Sequence, residues 1–175
     1  MTDSSFSVTP VSRQKLRSIA KHFHELMSLE NEIYMPIIEI YEFAPFLFAD
    51  FGLSIEIVPA DEMASSDHGY FDLSSNTIVI REDIYDGAYK GNGRDRMTLT
   101  HELCHFILFK IYGFKLKRNF NKIKPFEDPE WQAKALAAEF MMPAGIIKDM
   151  TVDQIVKKCG VSFSAAKMQY ENVKN

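Results

Sequence analysis

The sequence of 175 residues has little of what marks secreted, membrane-spanning or disordered proteins. It has two cysteines, Cys104 and Cys159, which are too few for a disulfide framework. The opening MTDSSFSVTP lacks the basic and apolar regions of a secretory signal. No apolar run approaches the roughly 20 residues needed to span a bilayer. Internal repeats and low-complexity segments are also missing. We therefore expect a cytoplasmic protein that does not enter a membrane.

The overall composition indicates a well-packed globular protein. Hydrophobic residues make up 46% of the chain, and 14 phenylalanines contribute to that fraction, which excludes a disordered chain. The net charge of -4 does not suggest a general nucleic-acid binder. A chain of this length favours one main domain. We assign residues 1–150 to that domain and residues 151–175 to a C-terminal helical hairpin.

The most informative pattern is His101-Glu102-Leu103-Cys104-His105, which has the form H-E-x-x-H. Residues four apart lie on one face of a helix, so the imidazoles of His101 and His105 can bind the same metal ion. Glu102 is close enough to act as a general base toward a metal-bound water without being a ligand. The pattern predicts a zinc site in which Glu102 is catalytic.

The neighbouring residues place this motif on a largely buried helix. Apolar residues recur there at helical spacing, namely Leu99, Leu103, Phe106 and Ile107. We predict that the helix begins around Gly91-Asn92-Gly93. Gly113 can end it as a cap in the left-handed conformation. A core helix with hydrogen-bonded histidines is the alternative interpretation. Burying three ionisable groups without a metal would be costly, which favours the metal site.

A catalytic zinc ion usually has three protein ligands and one open position. His68, in a predicted loop, could be the third ligand. The downstream carboxylates that could serve instead are Glu127, Asp128, Glu130 and Glu139. A carboxylate at the start of a helix is equally explained by the helix dipole, so the residues alone leave this choice open. We expect His22 and His24, two apart on the first helix, to be exposed to solvent.

Hydrophobic periodicity and turn residues predict the remaining elements. Helices are predicted over residues 12–30, from residue 36 with a kink or break at Pro45, and over 83–89, 128–142, 146–150, 151–159 and 162–173. Strands are predicted over residues 53–58, 69–73 and 77–80, the last two forming a hairpin around Ser74-Ser75-Asn76. The order of elements indicates an α+β fold with N-terminal helices, a small three-stranded sheet, and a motif helix packed on the following helix.

Two stretches raise the alternative of nucleic-acid binding. Between Gly113 and Pro125 the chain carries five basic and no acidic residues, a pattern that most often marks a solvated loop. Residues 152–166 resemble a helix-turn-helix with Gly160 in the turn. A DNA-binding regulator, or a toxin–antitoxin component with a structural zinc, is therefore the alternative function. The second helix offers only Lys167 and Lys174 as cations, which favours a hairpin packed on the core.

Two separated blocks resemble the ImmA/IrrE family of metallopeptidases. The first is Arg94-Asp95-Arg96-Met97-Thr98-Leu99-Thr100-His101-Glu102-Leu103-Cys104-His105, similar to the family pattern RxRFTxAHELGH. The second runs from Glu130 to Pro143 and resembles the family's E-x-x-A-N block with its F-A-x-x-L-L-M-P continuation. The likeness extends over about residues 53–143. Cys104, Lys134 and Leu136 stand where the family usually has Gly, Asn and Phe.

The resemblance implies a ligand set, a reaction and a substrate. Carried over to this sequence, the third zinc ligand is Glu130, beside His101 and His105. The implied activity is zinc-dependent hydrolysis of a peptide bond in a protein substrate, and the implied substrate is a DNA-binding repressor with a helix-turn-helix fold. Cys104 lies off the ligand face and is expected to be packed, and Lys134 lacks the amide that could support a ligand.

The same mechanism leaves two further features open: the donor that stabilises the oxyanion and the element that aligns the substrate. A donor should stabilise the oxyanion, and the candidates are His68, Tyr70, Tyr85 and Tyr112. The strand at residues 77–80 could pair with an extended substrate backbone, although a purely structural strand is the simpler interpretation.

Overall fold

A computed structural model describes residues 5–113, 117–119 and 123–174. Its helices are α1 (Arg13–Leu26), α2 (Ile37–Leu47), α3 (Glu82–Tyr89), α4 (Gly93–Tyr112), α5 (Pro129–Met141), α6 (Ala144–Ile147), α7 (Val152–Cys159) and α8 (Phe163–Lys174). Its strands are β1 (Ser5–Ser7), β2 (Ser54–Val58), β3 (Gly69–Asp72), β4 (Thr77–Arg81) and β5 (Lys117–Asn119). This order confirms the predicted α+β class. Residues 114–116 and 120–122 of the basic stretch, which include Lys115 and Lys122, lie outside the described residues.

The predicted three-stranded sheet is present, in the order β2-β4-β3. β4 is the central strand: it pairs in parallel with β2, where Ile55 lies opposite Ile78, and antiparallel with β3, where Phe71 lies opposite Ile78. Both hydrogen-bonding edges of β4 are therefore used, and this strand cannot accept a substrate backbone. The structural interpretation of residues 77–80 is the right one. β3 lies at an edge of the sheet.

The hydrophobic core lies between this sheet and the helices around α4. Ile78 and Ile80 of the central strand and Leu99 and Phe106 of α4 are fully or almost fully buried in it. α5 packs closely on α4, and the hydroxyl of Thr100 donates to Sδ of Met141 across their interface at 3.2 Å. The motif helix therefore packs on the helix that follows it, as predicted.

Three local predictions differ from the structure. The first helix ends at Leu26 rather than residue 30, because the chain turns through Ser28 with a positive φ of 56°. α2 continues through Pro45, where a kink or break was predicted; only two helical residues follow Pro45, so the missing N–H affects only the last turn. The helix predicted over residues 146–150 lies instead at Ala144–Ile147.

A second, two-stranded sheet was not predicted. β1 pairs antiparallel with β5, and Ser5 lies opposite Asn119. The chain after β1 continues along the start of α5: the N–H groups of Val8 and Val11 donate to the carbonyls of Glu127 and Phe126, both at 2.9 Å. The N-terminal segment thus fixes the residues that lead into α5.

The C-terminal hairpin of α7 and α8 packs on the core as two helices joined at Gly160, which adopts the left-handed conformation with φ 64°. Ile155, Cys159 and Ala166 are fully buried. A guanidinium holds this turn, because Arg96 donates from Nε to the carbonyl of Gly160 at 3.1 Å. The separate assignment of residues 151–175 as an appendage stays a prediction.

Arg96 links three parts of the molecule. It is 2% exposed, its Nη2 donates to the carbonyl of Met35 at 2.8 Å, and its guanidinium lies 3.7 Å from the ring centre of Tyr34. Burial lowers the pKa of Arg96, an effect opposed by Tyr34. The side chain therefore connects α4, the segment before α2 and the turn of the C-terminal hairpin.

Within the described part of the chain, none of the helices has both the length and the apolar character needed to cross a bilayer.

Candidate metal centre

α4 places the two histidines of the motif at the edge of the buried core. The side chain of Asn92 caps its first turn by accepting from the N–H groups of Arg94 and Asp95, and Gly113 ends it with φ 66°. The predicted bounds of this helix are thus confirmed. His101 and His105 lie one turn apart at the margin of the buried face, where their side chains keep 16% and 19% of their surface exposed.

Three side chains converge on one point. The Nε2 atoms of His101 and His105 are 3.0 Å apart, and the carboxylate of Glu130, in the first turn of α5, lies 3.3 Å from the first and 3.1 Å from the second. Hydrogen bonding to both imidazoles lowers the pKa of Glu130 below its ordinary value. One ligand atom from each residue lies within 4.8 Å of the others, so the three form a possible metal site.

The spacing of these atoms fits a metal ion better than a network of hydrogen bonds. Two ligand nitrogens bound to a tetrahedral zinc at about 2.0 Å are about 3.3 Å apart, close to the separation of the two imidazoles. Without an ion, each Nε2 would need a hydrogen to donate to Glu130. Both Nε2 atoms would then carry a hydrogen although only 3.0 Å separates the two nitrogens, and neither could accept a hydrogen bond from the other.

Glu102 lies near these three side chains and is more buried than they are. It is 7% exposed, and burial raises its pKa, an effect opposed by the nearby His101 and His105. β3 lies directly against it: a Cβ built on Gly69 would be 3.5 Å from Cγ of Glu102 and only 2.9 Å from the carbonyl oxygen of Val79. A side chain at position 69 would thus collide with the neighbouring strand β4, whereas glycine lets β3 pair with it beside the carboxylate.

The other carboxylates considered from the sequence have structural roles in this protein. Asp128 caps α5 by accepting from the N–H of Glu130 at 3.0 Å. Glu139 is 1% exposed and forms ion pairs with Arg13 and Arg17 at 3.3 and 3.1 Å. Glu127 is partly buried in the turn before α5. None of these three belongs to the cluster with His101 and His105.

The remaining histidines also lie outside the cluster. His22 is exposed, as expected, but the same expectation for His24 is wrong. His24 is 5% exposed, its Nδ1 lies 2.8 Å from the carbonyl of Ala20, and its ring packs on Phe140. Its position four residues after Ala20 and eight after Leu16, both buried, is the sequence signal that would have placed it inside.

All three departures from the family pattern can be located, and Leu136 is fully buried on α5. Cys104 is fully buried in the core, as expected from its position off the ligand face, and burial raises its pKa well above the ordinary value. Lys134 is exposed on α5. Among the hydrogen bonds of the described residues, none joins it to His101, His105 or Glu130.

A cleft of about 610 Å³ opens beside the motif and contains part of it. His101 and Glu102 line this cleft together with residues of α5 and α8. His68 lines this cleft, whereas the other candidates for the oxyanion donor, Tyr70, Tyr85 and Tyr112, do not. The sequence could not separate His68 from Tyr70, because their distances from the motif depend on how the sheet packs on α4.

Comparison with known protein families gives a match. The family model Peptidase_M78, described as the IrrE N-terminal-like domain, matches residues 48–170. The matched region begins before β2 and extends into α8, so it includes the motif helix, Glu130 and most of the C-terminal hairpin. A search of curated proteins finds no match for this chain.

Proposed function

This chain belongs to the Peptidase_M78 family of metallopeptidases, and we propose that it is a zinc-dependent endopeptidase. The observation that carries the proposal is the convergence of His101, His105 and Glu130 beside the buried carboxylate of Glu102. The three residues would hold the ion through two imidazole nitrogens and one carboxylate, a donor set typical of catalytic zinc. When bound, zinc acts as a Lewis acid that polarises a carbonyl and lowers the pKa of water.

Glu102 supplies the proton transfers in this proposal. Its carboxylate accepts the proton of the attacking water and then delivers it to the amine that leaves when the peptide bond breaks. Burial raises its pKa, which makes the carboxylate a stronger base. The imidazole of His68, which lines the same cleft, is the group we propose to stabilise the developing oxyanion.

The edge of the sheet can align the substrate. Among the described residues, β3 has a hydrogen-bonding partner only on the β4 side, and Gly69 at its start lines the cleft beside Glu102. An extended peptide that pairs with this free edge would present its backbone next to the proposed base. The substrate we propose is a helix-turn-helix repressor, on the basis of the family resemblance.

The decisive experiment is Glu102→Gln, which keeps the shape of the side chain and removes its basicity. The variant should retain about one zinc per chain and lose about 10²- to 10⁴-fold in cleavage rate. Cleavage would be followed by intact mass on a repressor encoded beside this gene. Glu127→Gln, outside the cluster, is the matched control and should cleave normally. Equal cleavage by the Glu102 variant, or purification of the protein without any bound metal, would contradict the proposal.

The alternative of DNA binding is less well supported. Ser164, Met168 and Asn172 on α8 line the cleft beside the motif. Part of the surface that α8 would present to DNA as a recognition helix therefore faces this cleft. At low salt, a mobility shift of duplex DNA that disappears as salt is raised would support this alternative instead.

A further inference from the structure

The cleft extends well beyond the metal centre and is formed by three helices. Arg94, Thr98 and His101 follow one another along the exposed side of α4 that faces it. α5 contributes Trp131, Lys134, Ala135 and Ala138, and α8 contributes Ala165, Met168 and others. Apolar surface therefore dominates the walls, and it includes Met168, which is 66% exposed. A large apolar side chain of a bound peptide fits such a surface.

Three cations line the cleft, namely Arg13, Arg94 and Lys134. Arg13 is neutralised, since it pairs with Glu139 at 3.3 Å and donates to Oε1 of Gln169. Arg94 and Lys134 are exposed, and neither has a carboxylate within 4.0 Å in the described parts of the chain. Apart from Glu102, the carboxylate that lines the cleft is Asp67. Two unpaired cations at this site stand out in a chain whose net charge is -4.

The two cations lie at different distances from the proposed metal ligands on their own helices. Lys134 lies one helical turn beyond Glu130, about 6 Å along α5, and Arg94 lies two turns before His101, about 10 Å along α4. Both side chains line the same cleft, so one bound peptide can reach both.

We propose that this cleft selects substrate segments that carry acidic residues within a few positions of the scissile bond, next to a large apolar residue. Arg94 and Lys134 are the specificity-determining residues in this proposal, which rests on the proposed peptidase function. The occupant is a peptide rather than nucleic acid, because two free cations beside apolar walls give a short charged contact and no basic stripe.

Trp131 makes the proposal testable without catalysis. It is the single tryptophan of the chain and lines the cleft, so its fluorescence reports occupancy of this site. The zinc-loaded Glu102→Gln protein would be titrated with blocked octapeptides that have a central Phe–Leu pair. One set carries two aspartates on each side of that pair, two and three residues away from it. The matched set carries asparagines at the same positions. We expect the aspartate peptides to bind about three- to tenfold more tightly at low salt, from two exposed ion pairs.

The charge of the cleft should control this difference. Lys134→Gln combined with Arg94→Gln should abolish the preference, 0.5 M NaCl should reduce it, and the corresponding glutamate substitutions should reverse it. Lys157→Gln, which removes an exposed cation from α7 outside the cleft, is the control and should leave the preference unchanged. Each of these substitutions is on the surface, so folding is expected to be unaffected.

The outcomes separate this proposal from the proposed function. Equal affinity for aspartate and asparagine peptides, or no change in Trp131 fluorescence with either, would overturn the specificity proposal. Tighter binding of an octathymidylate than of the aspartate peptides would overturn it in favour of a nucleic-acid site. Zinc content and cleavage by the unsubstituted protein decide the peptidase proposal independently of these titrations.

Discussion

Replacing Arg96 with methionine should destabilise the whole protein and loosen its C-terminal hairpin in particular. Methionine is unbranched and flexible enough to occupy much of the same buried space, so the substitution mainly removes the donors and the charge. The carbonyls of Met35 and Gly160 would both lose their guanidinium hydrogen bonds, and Tyr34 would lose its cation.

The expected cost follows from these contacts. Hydrogen bonds from a charged donor contribute about 1.5–3 kcal/mol each, and the contact with Tyr34 adds about 0.5–2 kcal/mol. Removing a buried cation also recovers desolvation energy, in keeping with the pKa of Arg96 being lowered by burial. A net loss of about 3 kcal/mol in the free energy of unfolding is therefore expected, a large share of the 5–15 kcal/mol typical of a domain.

Equilibrium unfolding in urea, followed by circular dichroism, measures this loss. Arg94→Met is the matched control, because Arg94 is exposed on the same helix and its replacement should change stability by no more than about 0.5 kcal/mol. Hydrogen exchange should show the amides of α7 and α8 opening faster in the Arg96 variant than those of α4. If both variants unfold within 0.5 kcal/mol of each other, Arg96 does not anchor the hairpin and the reasoning fails.

Two other measurements test the site and the core. Removing zinc with EDTA should lower the melting temperature by about 5–10 °C, since a ligand at 100 times its Kd stabilises by about 2.7 kcal/mol; the effect should vanish in Glu130→Ala, and an equal effect there would exclude Glu130 as a ligand. Iodoacetamide at pH 8 should leave Cys104 and Cys159 unmodified in the native protein and alkylate both in guanidinium, because both are buried and burial raises the pKa of Cys159 to about 11. Rapid native labelling of either cysteine would contradict its buried position.

The sequence was most informative where the determinants are local. The bounds of α4 could be predicted because Asn92 and Gly113 end it through their own backbone and side-chain chemistry. The capping box formed by Thr151 and Gln154 similarly begins α7 where it was predicted. The spacing of His101 and His105 also lies within one helix, so their proximity required no knowledge of the fold.

Features set by distant contacts could not be predicted in this way. The buried Glu139 forms ion pairs with Arg13 and Arg17, which lie more than 120 residues earlier in the chain. Residues alone could not choose Glu130 over its acidic neighbours, because that choice depends on how α5 packs on α4. Likewise, the central position of β4 follows from its parallel pairing with β2, which no turn residue specifies.

The pairing of the N-terminal segment with the start of α5 has a consequence for metal affinity. Val8 and Val11 hold the carbonyls of Glu127 and Phe126, just before the helix that presents Glu130, while the side-chain amide of Gln132 donates to the carbonyl of Thr9. Opening of these few contacts would free the carboxylate and leave the two imidazoles in place on α4. Residues 8–11 are therefore expected to lengthen the residence time of a bound metal, although they lie more than 80 residues from the motif and are not among the three clustered side chains.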